Sequence, residues 1–282
     1  MRLVPLPLPA RLGYAHRMST DDSTLLSCDG LRVSVPGRIL VDELELTLNR
    51  GEFVAVLGRN GTGKTLSLLT LSGLRRPDAG DVLLAGQSIA TLRRQRVARQ
   101  LALLPQDTED IFPATVLDTA LVGRHPHIAR FRWESSVDHD IAHASLAALG
   151  IDDLAKRDVL SLSGGERRRL AIAQILTQAP HTYLLDEPTN HLDPQHQLDT
   201  LRVFRRAADD GAGVIASLHD VNLAARFADR CLLLYGDGRW ELGVVDDILN
   251  ETRLEELYAT PMEAVEWRGG RLFIASDAQR PV

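Results

Sequence analysis

The chain has 282 residues, with 32 lysines and arginines against 38 aspartates and glutamates, which gives a formal net charge of −6. This length can bury a sizeable core, and the apolar and charged fractions are those of a soluble globular protein. The acidic balance gives no electrostatic footprint for nucleic acid or an anionic lipid surface. No stretch approaches the roughly 18 uninterrupted apolar residues that a membrane span needs, so membrane association is expected to require a partner.

The first elements are predicted around two turns. Residues 1–10 are apolar but interrupted by three prolines, and a secretory signal would need a cleaner apolar run and a cleavage site. We therefore expect a disordered tail over residues 1–24, or a true start at Met18. Between residues 31 and 47 apolar and polar residues alternate, which predicts two or three short strands with turns at 36–37 and 49–51.

Residues 58–65 fit the phosphate-binding pattern G-x-x-x-x-G-K-[ST]. They follow a buried strand at 53–57 and precede a segment at 66–71 that can open a helix, which is the context that the pattern needs. Glycines let backbone N–H groups close around phosphate oxygens, and the helix N-terminus adds the positive end of its dipole. The pattern predicts a nucleoside triphosphate with Mg²⁺ as the ligand. The loop residues are Gly58, Arg59, Asn60, Gly61, Thr62, Gly63, Lys64 and Thr65.

Buried strands and helices follow this loop. A strand at 81–86 and a basic helix at 92–100 lead to a short strand at 101–105, which delivers Gln106. From about residue 115 to 160 the apolar spacing becomes helical, which predicts a helical insertion between two α/β halves.

The rest of the chain alternates again. The predicted elements are helices at 167–178, 195–209 and 222–228 and strands at 182–186, 213–218 and 231–235. This alternation predicts a largely parallel sheet covered on both faces. A helix at 246–258 and a hairpin at 262–274, turned by Gly269 and Gly270, are expected to end the chain.

Two further motifs carry chemistry. The strand at 182–186 ends in Asp186 and Glu187, and phosphoryl transfer to water needs one carboxylate near Mg²⁺ and one group that orients or deprotonates the water. Residues 162–166, Leu-Ser-Gly-Gly-Glu, form either a second anion site or a turn in which Ser163 caps the next helix, and both interpretations can hold together. The three arginines at 167–169 are expected to form a solvated or interface face of that helix.

In this order the motifs resemble those of the ATP-binding cassette (ABC) ATPases, over about residues 31 to 235. The matching features are the phosphate loop, Gln106 as the Q-loop glutamine, residues 162–166 as the signature, 183–187 as the Walker B strand, 190–193 as the D-loop and His219 as the switch histidine. The resemblance implies an α/β fold: a P-loop NTPase (RecA-like) core with a largely parallel sheet, an N-terminal antiparallel β subdomain and an inserted α-helical subdomain. The ATPase domain is expected at 25–243, with the insertion at about 88–165, followed by a short extension at 244–282.

The resemblance also implies roles for individual residues. ATP would lie between the phosphate loop of one copy and the signature of a second copy, paired head to tail. Glu187 would be the catalytic base, with Lys64, Gln106 and His219 acting on the γ-phosphate or its water. Thr65, Gln106 and Asp186 would serve Mg²⁺. The residues expected to reach the partner's nucleotide or to connect the two sites are Ser163, Gly164, Gly165 and Asp193.

The sequence departs from the family at Val35, where an aromatic side chain usually stacks on adenine, so base selectivity is expected to be looser. The segment after Gln106 resembles importer ATPases for iron–siderophore, haem and cobalamin complexes. That likeness implies a permease partner that docks near 109–113, an indirect link to a substrate-binding protein, no nucleic-acid partner, and a peripheral location on the cytoplasmic face of the plasma (inner) membrane. The alternative is a soluble ATPase of the same type that acts on ribosomes or nucleic acid.

Overall fold

The computed structural model describes residues 23–106, 113–129 and 132–276. The strands are β1 (Thr24–Val35), β2 (Arg38–Asn49), β3 (Phe53–Leu57), β4 (Ala79–Leu84), β5 (Gln87–Ser88), β6 (Leu101–Leu104), β7 (Thr182–Asp186), β8 (Gly213–Ser217), β9 (Arg230–Leu234), β10 (Trp240–Val244), β11 (Met262–Trp267) and β12 (Gly270–Ala275). They form a four-stranded sheet in the order β2-β1-β4-β5, a six-stranded sheet in the order β10-β9-β3-β8-β7-β6, and a hairpin of β11 and β12.

Helices cover the larger sheet and fill the segment between β6 and β7. They are α1 (Lys64–Leu71), α2 (Arg94–Gln100), α3 (Val116–Leu121), α4 (Ser136–Ala148), α5 (Gly164–Gln178), α6 (Pro194–Asp209), α7 (Val221–Phe227), α8 (Val245–Ile248) and α9 (Glu251–Tyr258). No helix in the described part of the chain is long and apolar enough to span a bilayer.

The smaller sheet is antiparallel, as predicted for the N-terminal region. β1 and β2 pair from Thr24 opposite Asn49 to Val35 opposite Arg38, so the chain reverses at residues 36–37. The N-terminal tail was expected to extend to residue 24, and its residues 1–22 lie outside the described ranges.

The larger sheet is parallel across β9, β3, β8, β7 and β6, and only the edge strand β10 runs antiparallel to its neighbour. Every residue of β3, β7 and β8 is buried. Successive side chains of a strand point to opposite faces, so β3 sends Phe53 into one core and Val54 into the other. The predicted α/β class, with its parallel sheet covered on both faces, is confirmed.

The helical insertion packs on one of these cores. Val116 of α3 and Leu146 of α4 are fully buried and belong to the same cluster as Phe53, as does Leu170 of the following helix α5. The range predicted for the insertion, 88–165, also contains β6, which pairs in parallel with β7 and is part of the large sheet.

The chain after β9 differs from the prediction in three details. β10 was not predicted. The single helix expected at 246–258 is divided into α8 and α9, because Leu249 is extended and the Asn250 side chain caps α9 by accepting from the Arg253 N–H. The hairpin turns at Arg268 and Gly269, both with positive φ, and Gly270 already pairs with Trp267. A two-residue turn of this kind matches the twist of the strands.

Candidate functional site

The predicted motifs converge at one edge of the parallel sheet. Strands β3, β6, β7 and β8 end there, and the segments after them carry the phosphate loop, Gln106, Glu187 and His219. Because parallel strands present their carboxyl ends at the same edge, residues distant in sequence meet there. A cavity of about 580 Å³ opens at this edge, lined by Val35, Arg38, Leu40, Asn60, Gly61, Gly63, Lys64, Thr65, Leu66, Gln106, Glu187, Asn190 and His219.

The phosphate loop depends on glycine at close approaches. A Cβ on Gly58 would lie 2.6 Å from the Leu234 carbonyl oxygen and 2.6 Å from the Thr62 hydroxyl. Gly63 has a φ of 102° at the start of α1, and no side chain caps that helix. Backbone N–H groups of the first turn are therefore available to an anion in the loop.

Lys64 lies at the centre of the loop and is 5% exposed. Its Nζ donates to the carbonyl oxygens of Gly58 at 2.7 Å and Arg59 at 3.2 Å. Burial lowers the pKa of this ammonium, while the nearby carboxylates of Glu187 and Asp186 act in the opposite direction. The side chain thus brings a positive charge to a place that fits a polyphosphate.

Asp186 is the last residue of β7 and Glu187 follows it, and Ser217 of β8 bonds to both of them. The Ser217 hydroxyl donates to Asp186 Oδ1 at 2.7 Å and accepts from the Glu187 N–H at 2.9 Å. Ser217 is fully buried. Sequence reasoning missed this residue, although its position at the end of the neighbouring strand was a usable signal.

The Glu187 carboxylate faces the cavity between two side chains. One oxygen lies 2.6 Å from His219 Nε2, and the other accepts from the Asn190 amide. Glu187 adopts a positive φ of 49°, a conformation that non-glycine residues rarely take outside constrained sites. The carboxylate is therefore held in one place beside the predicted phosphate site.

Asp186 provides the test of the predicted Mg²⁺ site. It is 2% exposed, and among the described residues its Oδ2 has no hydrogen-bond partner. An unpaired buried carboxylate oxygen is costly, so this atom fits a cation or a water that a cation holds. Within the described ranges no three His, Cys, Asp or Glu side chains form a self-contained metal site, but Mg²⁺ carried by substrate phosphates needs only one or two carboxylates.

The signature residues Ser163, Gly164 and Gly165 do not line this cavity. Ser163 caps α5 and forms a capping box with Glu166, whose pKa the Ser163 backbone and hydroxyl bonds lower. A Cβ on Gly164 would meet nothing within 4 Å, so the glycine leaves open space at the helix start. The D-loop is close by, since a Cβ on Gly165 would lie 3.6 Å from the His191 carbonyl oxygen.

Asp193 also lies outside the cavity and caps α6. It accepts from the His196 backbone N–H at 2.9 Å and contacts His196 Nδ1 at 2.7 Å, and these two bonds lower the pKa of its carboxyl.

The expectation for the three arginines was wrong at Arg168, which is 4% exposed. Its guanidinium turns inward and donates to backbone carbonyls of the Q-loop and of the Walker B end. The run of three charged residues suggested that their side chains face solvent. The carbonyl acceptors that let an arginine be buried here come from segments that only the tertiary fold brings close.

Val35 lies on the rim of the cavity with Leu40, at the place where adenine was expected. The side chain is 37% exposed, and Arg38 lines the cavity beside it. That adenine rests on Val35 stays a prediction.

Comparisons with known proteins agree with this geometry. Residues 41–190, more than half of the chain, match the ABC transporter family. The hemin import ATP-binding protein HmuV of Gloeobacter violaceus is 40% identical over 82% of this chain and 86% of its own length. The petrobactin import ATP-binding protein FpuD of Bacillus anthracis is 35% identical over 81% and 84%.

The cobalamin import ATP-binding protein BtuD of Halobacterium salinarum is 41% identical over 76% of this chain, and the chain spans about half the length of that relative. Among solved structures, one described as an inward-facing metal-chelate type ABC transporter superposes with a TM-score of 0.78 at 29% identity, covering 90% of this chain and 98% of the other. The agreement of motif order, sheet topology and sequence identity over most of the length makes this chain a member of the ABC transporter family.

Proposed function

We propose that this chain is the ATP-binding and hydrolysing subunit of an ABC importer, and that it energises uptake of an iron–siderophore, cobalamin or haem-type substrate through a separate permease. The observation that carries the proposal is the meeting of Lys64, Gln106, Glu187 and His219 in one cavity. A phosphate loop beside a fixed carboxylate is typical of sites that bind a nucleoside triphosphate.

The chemistry follows from the positions of these groups. Glu187 takes a proton from a water as the water oxygen bonds to the γ-phosphorus and the bond to ADP breaks. His219, 2.6 Å from the Glu187 carboxylate, orients it and can contact the γ-phosphate. Lys64 and the backbone N–H groups of the loop stabilise charge on the phosphate oxygens.

Mg²⁺, when bound, would neutralise negative charge on the β- and γ-phosphate oxygens. Thr65, Gln106 and Asp186 would hold it, directly or through water. The buried, unpartnered Asp186 Oδ2 supports this role.

A second copy of the chain completes the site in this proposal. Ser163, Gly164 and Gly165 lie outside the cavity of their own chain, which supports a contact with the nucleotide of a head-to-tail partner. Asp193 belongs to the D-loop, which lies beside the signature, and it would connect the two sites.

The importer role is supported by the relatives, which are import ATP-binding proteins for cobalamin, hemin and petrobactin. The permease would dock on the helical insertion, where Trp133 is 91% exposed. Residues 109–112 of the expected docking loop lie outside the described ranges. Docking there would place the chain peripherally on the cytoplasmic face of the inner membrane, with a substrate-binding protein engaged through the permease. The ribosome or nucleic-acid alternative gains no support from these relatives.

The test uses Glu187→Gln, which keeps the shape of the side chain and removes its basicity. We expect MgATP binding to persist while hydrolysis falls by about 100-fold or more, and a closed dimer to accumulate. Glu45→Gln, on an exposed position of β2, is the matched control and is expected to hydrolyse ATP normally. Near-normal turnover in Glu187→Gln would remove Glu187 from the role of base.

The importer assignment is tested by pull-down of tagged Glu187→Gln protein from native membranes with MgATP, followed by mass spectrometry. Recovery of a polytopic permease is expected, and its associated binding protein would then narrow the cargo. Recovery of ribosomal or DNA-bound proteins without a membrane protein would overturn the importer role and leave only the ATPase.

A further inference from the structure

The guanidinium of Arg168 joins two strand ends of the nucleotide site through four backbone carbonyls. Nη1 donates to the carbonyl oxygens of Pro105 at 2.7 Å and Gln106 at 3.0 Å. Nη2 donates to those of Asp186 at 2.7 Å and Glu187 at 2.8 Å. Each terminal nitrogen carries two hydrogens, so the four bonds to the two segments account for all four of these N–H donors.

The contact with Glu187 falls on a peptide that needs support. Glu187 has a positive φ of 49°, which costs free energy and persists only where the surroundings fix it. Its N–H donates to the Ser217 hydroxyl, and its carbonyl accepts from Arg168. The backbone that carries the proposed base is thus held on one side from β8 and on the other from α5.

The choice of residue is specific. A planar guanidinium can bind several carbonyls in fixed directions, whereas a lysine ammonium is a single point with three donors. Arg168 is 4% exposed, and burial of a charge requires compensation of this quality. The same helix begins with the signature at Ser163, so Arg168 ties the signature helix to the carboxylates of its own chain.

We propose that Arg168 is a positioning residue for ATP hydrolysis: anchored on the carbonyls of the Q-loop, it holds the backbone of Glu187 in the geometry that catalysis needs, without touching the nucleotide. The inference rests on the proposed function of this cavity as an ATPase site. It predicts that Arg168 affects the rate of hydrolysis and leaves the affinity for ATP unchanged.

The experiment measures ATP affinity with a fluorescent ATP analogue, kcat and KM for MgATP, and Tm for the full chain. The variants are Arg168→Gln, Arg168→Lys and the control Arg99→Gln, an exposed arginine on α2 that also donates to a carbonyl, that of Pro126 at 2.7 Å. We expect Arg168→Gln to lower kcat by about 10- to 100-fold, the range for small displacements of catalytic groups, with affinity for the analogue within about twofold of wild type. Arg168→Lys is expected to recover part of the loss, and it gives a second reading if the glutamine variant does not fold.

Single-turnover hydrolysis in the Glu187→Gln background separates positioning from a general structural role. Because Arg168 is proposed to act through Glu187, Arg168→Gln should cost less than about threefold there. The inference would be overturned by an equal loss of rate in both backgrounds, by a parallel loss of analogue binding, or by a normal kcat in both Arg168 variants. None of these results would overturn the proposed function, provided that the wild-type protein hydrolyses ATP. A wild-type chain that hydrolyses no ATP would overturn the proposed function and this inference with it.

Discussion

Replacing Ser217 by alanine should expose the energetic role of the hydroxyl between the two acidic residues. The hydroxyl donates to the Asp186 carboxylate at 2.7 Å and accepts from the Glu187 N–H at 2.9 Å, in a fully buried position. A hydrogen bond to a charged group contributes about 1.5–3 kcal/mol, and a buried N–H left unpaired costs about 1–3 kcal/mol. Since the two losses overlap, we expect the free energy of unfolding to fall by about 3 kcal/mol. With about 2.1 cal/mol/K of unfolding entropy per residue, that is a decrease in Tm of roughly 5 °C for a chain of this size.

The assay is urea and thermal unfolding of the nucleotide-free protein, followed by ATP hydrolysis. Ser67→Ala is a matched control, because Ser67 is also buried but its hydroxyl finds no partner among the described residues. That substitution should be neutral or should stabilise by up to about 1 kcal/mol, since it removes an unsatisfied group. If Ser217→Ala and Ser67→Ala changed stability equally, the reasoning from hydrogen bonds would be refuted.

Three further outcomes are expected. Gly58→Ala should weaken ATP binding, because the new Cβ would lie 2.6 Å from the Leu234 backbone carbonyl oxygen and the loop must shift; unchanged affinity in an ATP titration would contradict this. Burial raises the pKa of Asp138, but hydrogen bonds from Ser135 and Arg124 outweigh it and lower the pKa to about 2. The Asp138 carboxylate therefore contributes to the free energy of unfolding above pH 4, and this contribution is lost between about pH 4 and pH 2. Asp138→Asn should be less stable than wild type at pH 7 and should lose less stability between about pH 4 and pH 2, as followed by circular dichroism during acid titration. Trp133→Ala, at a side chain 91% exposed, should keep the free energy of unfolding within about 0.5 kcal/mol of wild type while reducing permease recovery in the pull-down; equal recovery would argue against docking there.

Local patterns were sufficient for the parts of the site that are contiguous in sequence. The phosphate loop, the strand that ends in Asp186 and Glu187, and the segment that delivers His219 were all predicted close to where the structure has them, because each follows a buried strand. The roles assigned to them remain predictions, although their convergence in one cavity supports those roles.

Residues whose environment is made by distant segments were missed. Arg168 has polar neighbours in sequence, and its burial depends on carbonyls about 20 and 60 positions away. The break between α8 and α9 was missed for another reason: Asn250 was counted within a helical run, although its side chain is better used as a cap.

The C-terminal hairpin is joined to α7, the helix that follows His219, by one amide. Asn222 donates to the Phe273 carbonyl oxygen at 3.1 Å and accepts from the Phe273 N–H at 2.8 Å, so its side chain acts as one more rung beside β12. An aspartate carboxylate could accept but not donate, whereas a side-chain amide offers a donor and an acceptor side by side in one plane. The hairpin is thereby bonded directly to the helix that follows the histidine, so we expect the two elements to move together.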